Sequence, residues 1–254
     1  MATTDLLAGL RVRRYGRRGG RPLLYHHGWP GAASEAFLIA DAAVDQGWDL
    51  VAFDRPGTGG SPPIPTPGLA PIAVCARRLA DHLGWDRFAQ VGVSGGAPFA
   101  AVTAALLGPR VQGTLLVCGM APMLPEVLRH LPIQLRSGLR LARAWPGAAP
   151  LILRGLVAPR MASQPRAMLA LLTLRMAAAD RIILADPEVL GRFARIGVEA
   201  FAQGGIGPVR DLLAFAAPWA TAFARPAPVL AFHGEEDQTL GVGCLDAWSA
   251  VIPC

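Results

Sequence analysis

Ser94 stands apart from the other nucleophilic side chains of this 254-residue chain because of its neighbours, Gly92–Val93–Ser94–Gly95–Gly96. An apolar run, Phe88–Val93 (FAQVGV), precedes it, and Pro98–Leu107 behind it reads as a helix. A serine that attacks a carbonyl must stand out from its backbone, which takes a tight, strained strand-to-helix turn. Small flanking residues let neighbouring backbones close on such a turn. The Gly95 amide, in the first turn of the helix, would face the oxygen on which charge develops, with the helix dipole behind it. The chemistry implied is acyl transfer through a covalent serine intermediate. With 29 glycines in the chain, G-x-S-x-G also arises by chance, so the flanking strand and helix carry the inference. The bland alternative is an ordinary Gly-rich turn.

The elements around that turn alternate. Leu10–Tyr15, Arg21–His26, Asp49–Phe53, Phe88–Val93, Val111–Cys118 and Pro228–Phe232 read as short strands. Ser34–Gln46, with Ser34 as N-cap, and Ile72–Leu83 read as helices, and residues 245–252 look like another. Apolar strands separated by helices predict a mostly parallel sheet covered on both faces, an α/β fold. From about Met120 to Pro226 the rhythm breaks into Leu-, Ala- and Arg-rich helical spacing. This predicts a core of residues 1–119 and 227–254 with a helical cap, or lid, inserted at 120–226. A separate helical domain is the alternative.

Composition narrows the classes. A chain of this size buries roughly 70–75% of its unfolded surface, so it needs neither disulfides nor metal to hold a core. Cys75, Cys118, Cys244 and Cys254 have no CxxC spacing and no nearby His in a ligand pattern, so no metal and no cofactor is expected. All 24 basic residues are Arg, and the net charge of +6 is concentrated: residues 127–210 carry +8 and the remainder −2. No aromatics alternate with the arginines as a base-stacking surface requires, so nucleic acid is not an expected partner. The uncharged stretch Phe88–Pro109 carries Gly92, Gly95, Gly96 and Pro98, which argues against stable membrane insertion. Residues 1–20 hold Asp5 and five Arg with no apolar leader core, and the expected location is cytoplasmic.

A second segment, His26–His27–Gly28–Trp29–Pro30–Gly31, follows the RPLLY strand, and Asp54–Ser61 (DRPGTGGS) and His233–Asp237 (HGEED) come after it. Together with the Ser94 turn, these resemble the motifs of the α/β-hydrolase family, in its order, over about residues 10–120 and 226–252. The likeness is greatest to small capped serine hydrolases with esterase-like sites. The resemblance implies an α/β-hydrolase fold in which Ser94 is the nucleophile and Trp29 donates the second oxyanion-hole amide. It makes His27 and Gly28 the supporting turn and Asp237 the acid of a Ser-Asp-His triad. Glu235 and Glu236 read as solvated loop charges.

The triad also needs a histidine oriented by that acid. The family places it on a loop after one further strand, and the sequence stops 17 residues past Asp237 with no His after His233. The expectation is therefore a C-terminally incomplete chain, its final strand and His loop lying beyond Cys254. The alternative is a natural variant lacking the base. His26 and His27 have structural readings, His82 lies on a helix, and His233 is too near Asp237 in sequence to share its geometry easily. His130, in the cap, is the one movable candidate. Between Glu126 and Asp180 stand eight Arg and no acid, which favours an anionic small-molecule substrate or an anionic surface. Ser94 in place of an aspartate, with no Tyr in the cap, argues against epoxide hydrolysis and dehalogenation. Ester or related acyl-bond hydrolysis is the leading expectation. C–C bond hydrolysis, haloperoxidase-like chemistry, non-catalytic ligand binding and a membrane-surface role remain open.

Overall fold

The computed structural model describes residues 3–122, 128, 131, 133–173, 176–217, 219 and 228–252. Seven strands form one sheet: β1 (Thr3–Leu7), β2 (Leu10–Gly16), β3 (Arg21–His26), β4 (Trp48–Phe53), β5 (Phe88–Val93), β6 (Val111–Val117) and β7 (Val229–Phe232). Their spatial order is β1-β2-β4-β3-β5-β6-β7. From β4 to β7 all pairs are parallel, and β1 and β2 add an antiparallel edge.

Alternation along the strands splits the core into two faces. Leu23, Tyr25, Leu50, Ala52 and Val91 face helix α1 (Phe37–Asp45), which presents Ala40 and Ala43. Leu24, Val51, Phe53 and Phe88 join the other face with α2 (Leu69–His82) and α3 (Ala97–Leu107). β3 connects to β4 on one side, and β5 lies on β3's other side. Ligands of open parallel sheets bind in the crevice at such a reversal, beyond the carboxyl ends of the strands. Here that crevice lies between the ends of β3 and β5, which the His26↔Gly92 pairing brings level.

Between β6 and β7 the described chain is helical: α4 (Ile133–Ala144), α5 (Ala148–Ile152), a π-turn at Leu153–Val157, α6 (Ala158–Ser163), α7 (Pro165–Thr173), α8 (Ala178–Leu184), α9 (Pro187–Ala200) and α10 (Ile206–Ala216). It sits directly on the core. Gly207 N donates to Gly57 O at 2.9 Å, and a Cβ on Gly207 would lie 2.0 Å from Thr58 Oγ1. Glu199 on α9 accepts from Arg11, Arg13 and Ser34 at 2.7–2.9 Å. A last helix, α11 (Gly243–Val251), follows β7. No described helix is long and apolar enough to cross a membrane.

One strand was not anticipated, and two expectations need correction. The outer strand β1 has no clear signal in its sequence, TTDLL, because only one side of the strand is paired and none of its residues is buried. Ser34 lies inside a 3-10 turn (Ala33–Ala36) and bonds the distant Glu199, so it is not the N-cap of α1. Helix α2 begins at Leu69 rather than Ile72, since Leu69 is buried in the core.

Candidate active site

Ser94 sits at the carboxyl end of β5 with φ +51°, the left-handed region that a non-glycine residue enters at a cost of about 1–2 kcal/mol. Its carbonyl accepts from Met120 N at 3.0 Å, and its side chain stays partly open to solvent. The neighbouring glycines explain how the turn is held. A Cβ on Gly92 would lie 2.8 Å from Ala100 Cβ, and one on Gly96 only 2.0 Å from His26 O. The β5 turn and the β3 end therefore touch through backbone alone.

The same contact joins the two candidate oxyanion donors. A Cβ on Gly95 would lie 3.1 Å from Trp29 N, so the two peptide units lie side by side. The Trp29 amide has no acceptor among the described residues, whereas its indole Nε1 donates to Pro208 O at 2.9 Å. Phe215 on α10 packs edge-on against both Trp29 and Phe99, closing this side of the crevice.

The turn carrying Trp29 rests on buried polar groups. His27 uses both ring nitrogens: Nδ1 lies 3.0 Å from Gly28 O, and Nε2 accepts from Arg55 N at 3.3 Å. A carbonyl can only accept, so the proton is on Nδ1 and the ring is neutral. Burial, and then Arg55, hold its pKa well below the usual histidine range. His26 is buried too, its pKa lowered to about 3, with Nε2 3.1 Å from Gln90 Oε1. Gln90 in turn donates to Ala100 O and Thr114 Oγ1. Neither histidine is hydrogen-bonded to Ser94.

Arg55, fully buried, donates to His27 O (2.6 Å), Gly28 O (2.9 Å) and Asp211 Oδ2 (2.7 and 3.0 Å), and stacks 4.3 Å from the Phe99 ring centroid. It thus ties the turn after β3 to α3 and α10. Glu35 Oε1 accepts from Gly28 N at 2.7 Å and Tyr25 Oη at 3.1 Å. Burial raises the Glu35 pKa from 4.5 to about 7, against the lowering effect of those hydrogen bonds. A carboxyl with a raised folded-state value binds protons better folded than unfolded. Stability should therefore fall as pH climbs from about 4.5 to 7 and level off above. Urea midpoints between pH 5 and 8 should show this slope, and Glu35→Gln, which keeps an acceptor for Gly28 N, should flatten it. An unchanged slope in the variant would refute this assignment.

Asp237 follows β7. Its Oδ1 accepts from Thr239 N (2.7 Å) and Leu240 N (3.1 Å), and its Oδ2 lies 2.9 Å from His233 Nε2, off hydrogen-bond alignment. The turn at 233–237 folds back, because Asp237 N bonds Gly234 O, so the two side chains meet despite their short separation in sequence. The contact is closer than their separation suggests, but it is not an aligned hydrogen bond. Strand pairing puts β7 two places from β5, so about 10 Å of sheet separates the two strand ends. His130 and Glu126 lie outside the described residues. Sequence reasoning missed Glu35, Arg55 and Asp211. Arg55 and Asp211 each stand next to an opposite charge in sequence, Asp54 and Arg210, so no local signal marks their burial, whereas Glu35 lies between the small residues Ser34 and Ala36.

A strained serine between β5 and α3, beside the turn that ends β3, is the arrangement of one large fold family, whose sequence model, described as alpha/beta hydrolase fold, matches residues 21–254. The chain belongs to the alpha/beta hydrolase fold family. A "Non-heme haloperoxidase" of Rhodococcus erythropolis is 29% identical over 126 residues, 48% of this chain and 46% of that protein. The chain thus spans less than half the length of this relative. Among solved structures, epoxide hydrolase A from Mycobacterium thermoresistibile superposes with a TM-score of 0.69 at 20% identity, covering 99% of this chain and 88% of that one. The enol-lactonase from Burkholderia xenovorans LB400 gives 0.67 at 19% identity, covering 98% and 88%. At these identities the structural likeness concerns the fold. In this chain a serine stands at the β5–α3 turn, with the ring contacts of Trp29, Phe99 and Phe215 beside it.

Proposed function

We propose that this alpha/beta hydrolase cleaves a carboxylic ester or a related acyl bond through an acyl-enzyme on Ser94. The observation that carries the reading is the pairing of a serine at φ +51° with two adjacent backbone amides, Gly95 and Trp29. Ser94 Oγ attacks the carbonyl carbon, and its proton passes to a base. The oxyanion is held by the two amides, worth roughly 10²–10³ in kcat for each such donor. Collapse expels the alkoxide, which takes the proton, and water then releases the acid by the same path. Residues 120–226 act as the cap that shields the bound substrate, with Phe215 as its inner wall.

In this reading the base is a histidine oriented by Asp237. Among the described residues, His233 is the imidazole in contact with that carboxylate. His233→Ala separates two versions of the triad. Loss of turnover with the fold intact makes His233 the base or its close support. Full retention assigns the proton to a base other than His233.

The reaction class is tested with p-nitrophenyl acetate and butyrate in stopped flow. An acyl-enzyme predicts a burst of p-nitrophenolate approaching one per chain, followed by slower turnover. A strictly linear release, equal to that of the Ser94→Ala protein, would leave ligand binding under the cap as the better reading.

A further inference from the structure

Away from the crevice, α7 and α9 border an open groove of about 410 Å³, lined by Gln164, Arg166, Gly191, Arg195 and Val198 among others. Two guanidinium groups converge there. The Cβ position of Gly191 lies 4.0 Å from Arg166 Nη2 and 4.0 Å from Arg195 Nη1. No more than about 8 Å therefore separates these nitrogens, a span one oxyanion group can bridge.

Among the described residues no carboxylate pairs with either arginine. Neither arginine makes an ion pair or hydrogen bond with a described residue, and the neighbouring acids are engaged elsewhere. Glu188 pairs with Arg192 at 2.6 Å, and Asp186 caps α9 by accepting from Glu188 N and Val189 N. Glu199 is taken by Arg11, Arg13 and Ser34. Further acids are scarce, since residues 127–179 carry eight Arg and none. A guanidinium has only donors, so two of them side by side repel until an acceptor arrives. Gly191 keeps the floor open within α9 although glycine weakens a helix interior by about 1 kcal/mol. The Gln164 amide adds an uncommitted polar group, and Pro165, Ala194 and Val198 give the groove an apolar side.

We infer that the Arg166–Arg195 groove binds a phosphate-type oxyanion, because paired arginine forks match that geometry better than they match any neutral ligand. The chemistry is shared by free phosphate, phosphate monoesters and phospholipid headgroups. Binding here is independent of the reaction proposed for Ser94.

The test is a thermal-melt titration of the chain with sodium phosphate, holding ionic strength constant with sodium chloride. Phosphate should raise the melting temperature along a saturable curve, with chloride alone giving no such rise. Arg166→Ala/Arg195→Ala should weaken the apparent affinity by at least about tenfold. Both side chains are exposed, so the double variant should fold, and Arg192→Ala, which alters the paired arginine of the same helix, should titrate like wild type. Equal curves for wild type and the double variant would overturn the assignment, as would a rise that chloride reproduces. Sedimentation with phosphatidylcholine vesicles containing phosphatidylglycerol distinguishes the sources. Vesicle binding that the double variant loses points to a headgroup. A phosphate response without vesicle binding points to a small soluble phosphate.

Discussion

Replacing Ser94 with alanine should lower kcat/KM for p-nitrophenyl esters by roughly 10⁴-fold or more, because the covalent route vanishes and only the oxyanion donors remain. The fold should survive, since the Ser94 side chain is partly exposed and the turn is shaped by Gly92, Gly95 and Gly96. Ser94→Gly should be equally inactive yet more stable, by about 1 kcal/mol, because glycine enters φ +51° without the steric cost serine bears. A serine kept in a conformation that alanine and serine both resist is explained by attack geometry. An innocent turn would prefer glycine. Esterase assays with urea titrations of the three proteins check both halves. Similar turnover for Ser94→Ala and wild type would remove the nucleophile from the account.

The second large effect is on stability. Arg55 and Asp211 are both buried, and burial pushes the Asp211 carboxyl up while Arg55 draws it down. Removing one partner strands the other charge in the interior, a loss of about 3–5 kcal/mol. Arg55→Ala should show it in full, since His27 O and Gly28 O lose their donors as well. Asp211→Asn, nearly isosteric, should cost less but still more than a surface change. Arg55→Ala/Asp211→Ala should be milder than the sum of its single variants, because neither charge is then left alone. Since Arg55 holds the carbonyls on either side of the Gly28 amide, its loss should also cut kcat more than it changes KM. Urea denaturation and steady-state kinetics check this, and a loss below about 1 kcal/mol for Arg55→Ala would contradict it.

These two predictions concern residues of different legibility. The strand–turn–helix around Ser94 was readable because its demands are local: a strand before it, a helix after it and glycines where backbones touch. The strands β3 to β7 were readable for the same reason, each being a short, mostly apolar run closed by turn residues, and β2 through its alternation of Leu10 and Val12 with arginines. Asp211, by contrast, meets Arg55 across 156 residues of sequence, and Glu199 meets Arg11 across 188. No periodicity marks such a pair, because the partner is chosen by the docking of α9 and α10 onto the loops after β3 and β4. Ser34 was misread on that account: a serine before an apolar run is a good N-cap, but a carboxylate arriving from α9 offered its hydroxyl a stronger acceptor. His233 and Asp237 approach to 2.9 Å because a tight turn brings together side chains that an extended loop would keep apart, though without an aligned hydrogen bond.

The role of Glu35 also follows from three-dimensional placement. In sequence it is an acid before Ala36 and Phe37; in the fold it sits under the Gly28 amide with Tyr25 beside it. The turn that carries Trp29 is thus held from below by a carboxyl and from the side by a guanidinium, so the donor amide of the proposed reaction is held in place without substrate. Such preorganisation is what makes an oxyanion donor effective.

The central claim is that Ser94 is the nucleophile. The most direct measurement is peptide mapping by mass spectrometry after treatment with a fluorophosphonate, which phosphonylates an activated serine and releases fluoride. The account predicts one adduct per chain, on the peptide containing Ser94, and none in the Ser94→Ala protein. An adduct on another residue, or persistent labelling of Ser94→Ala at the wild-type rate, would contradict it.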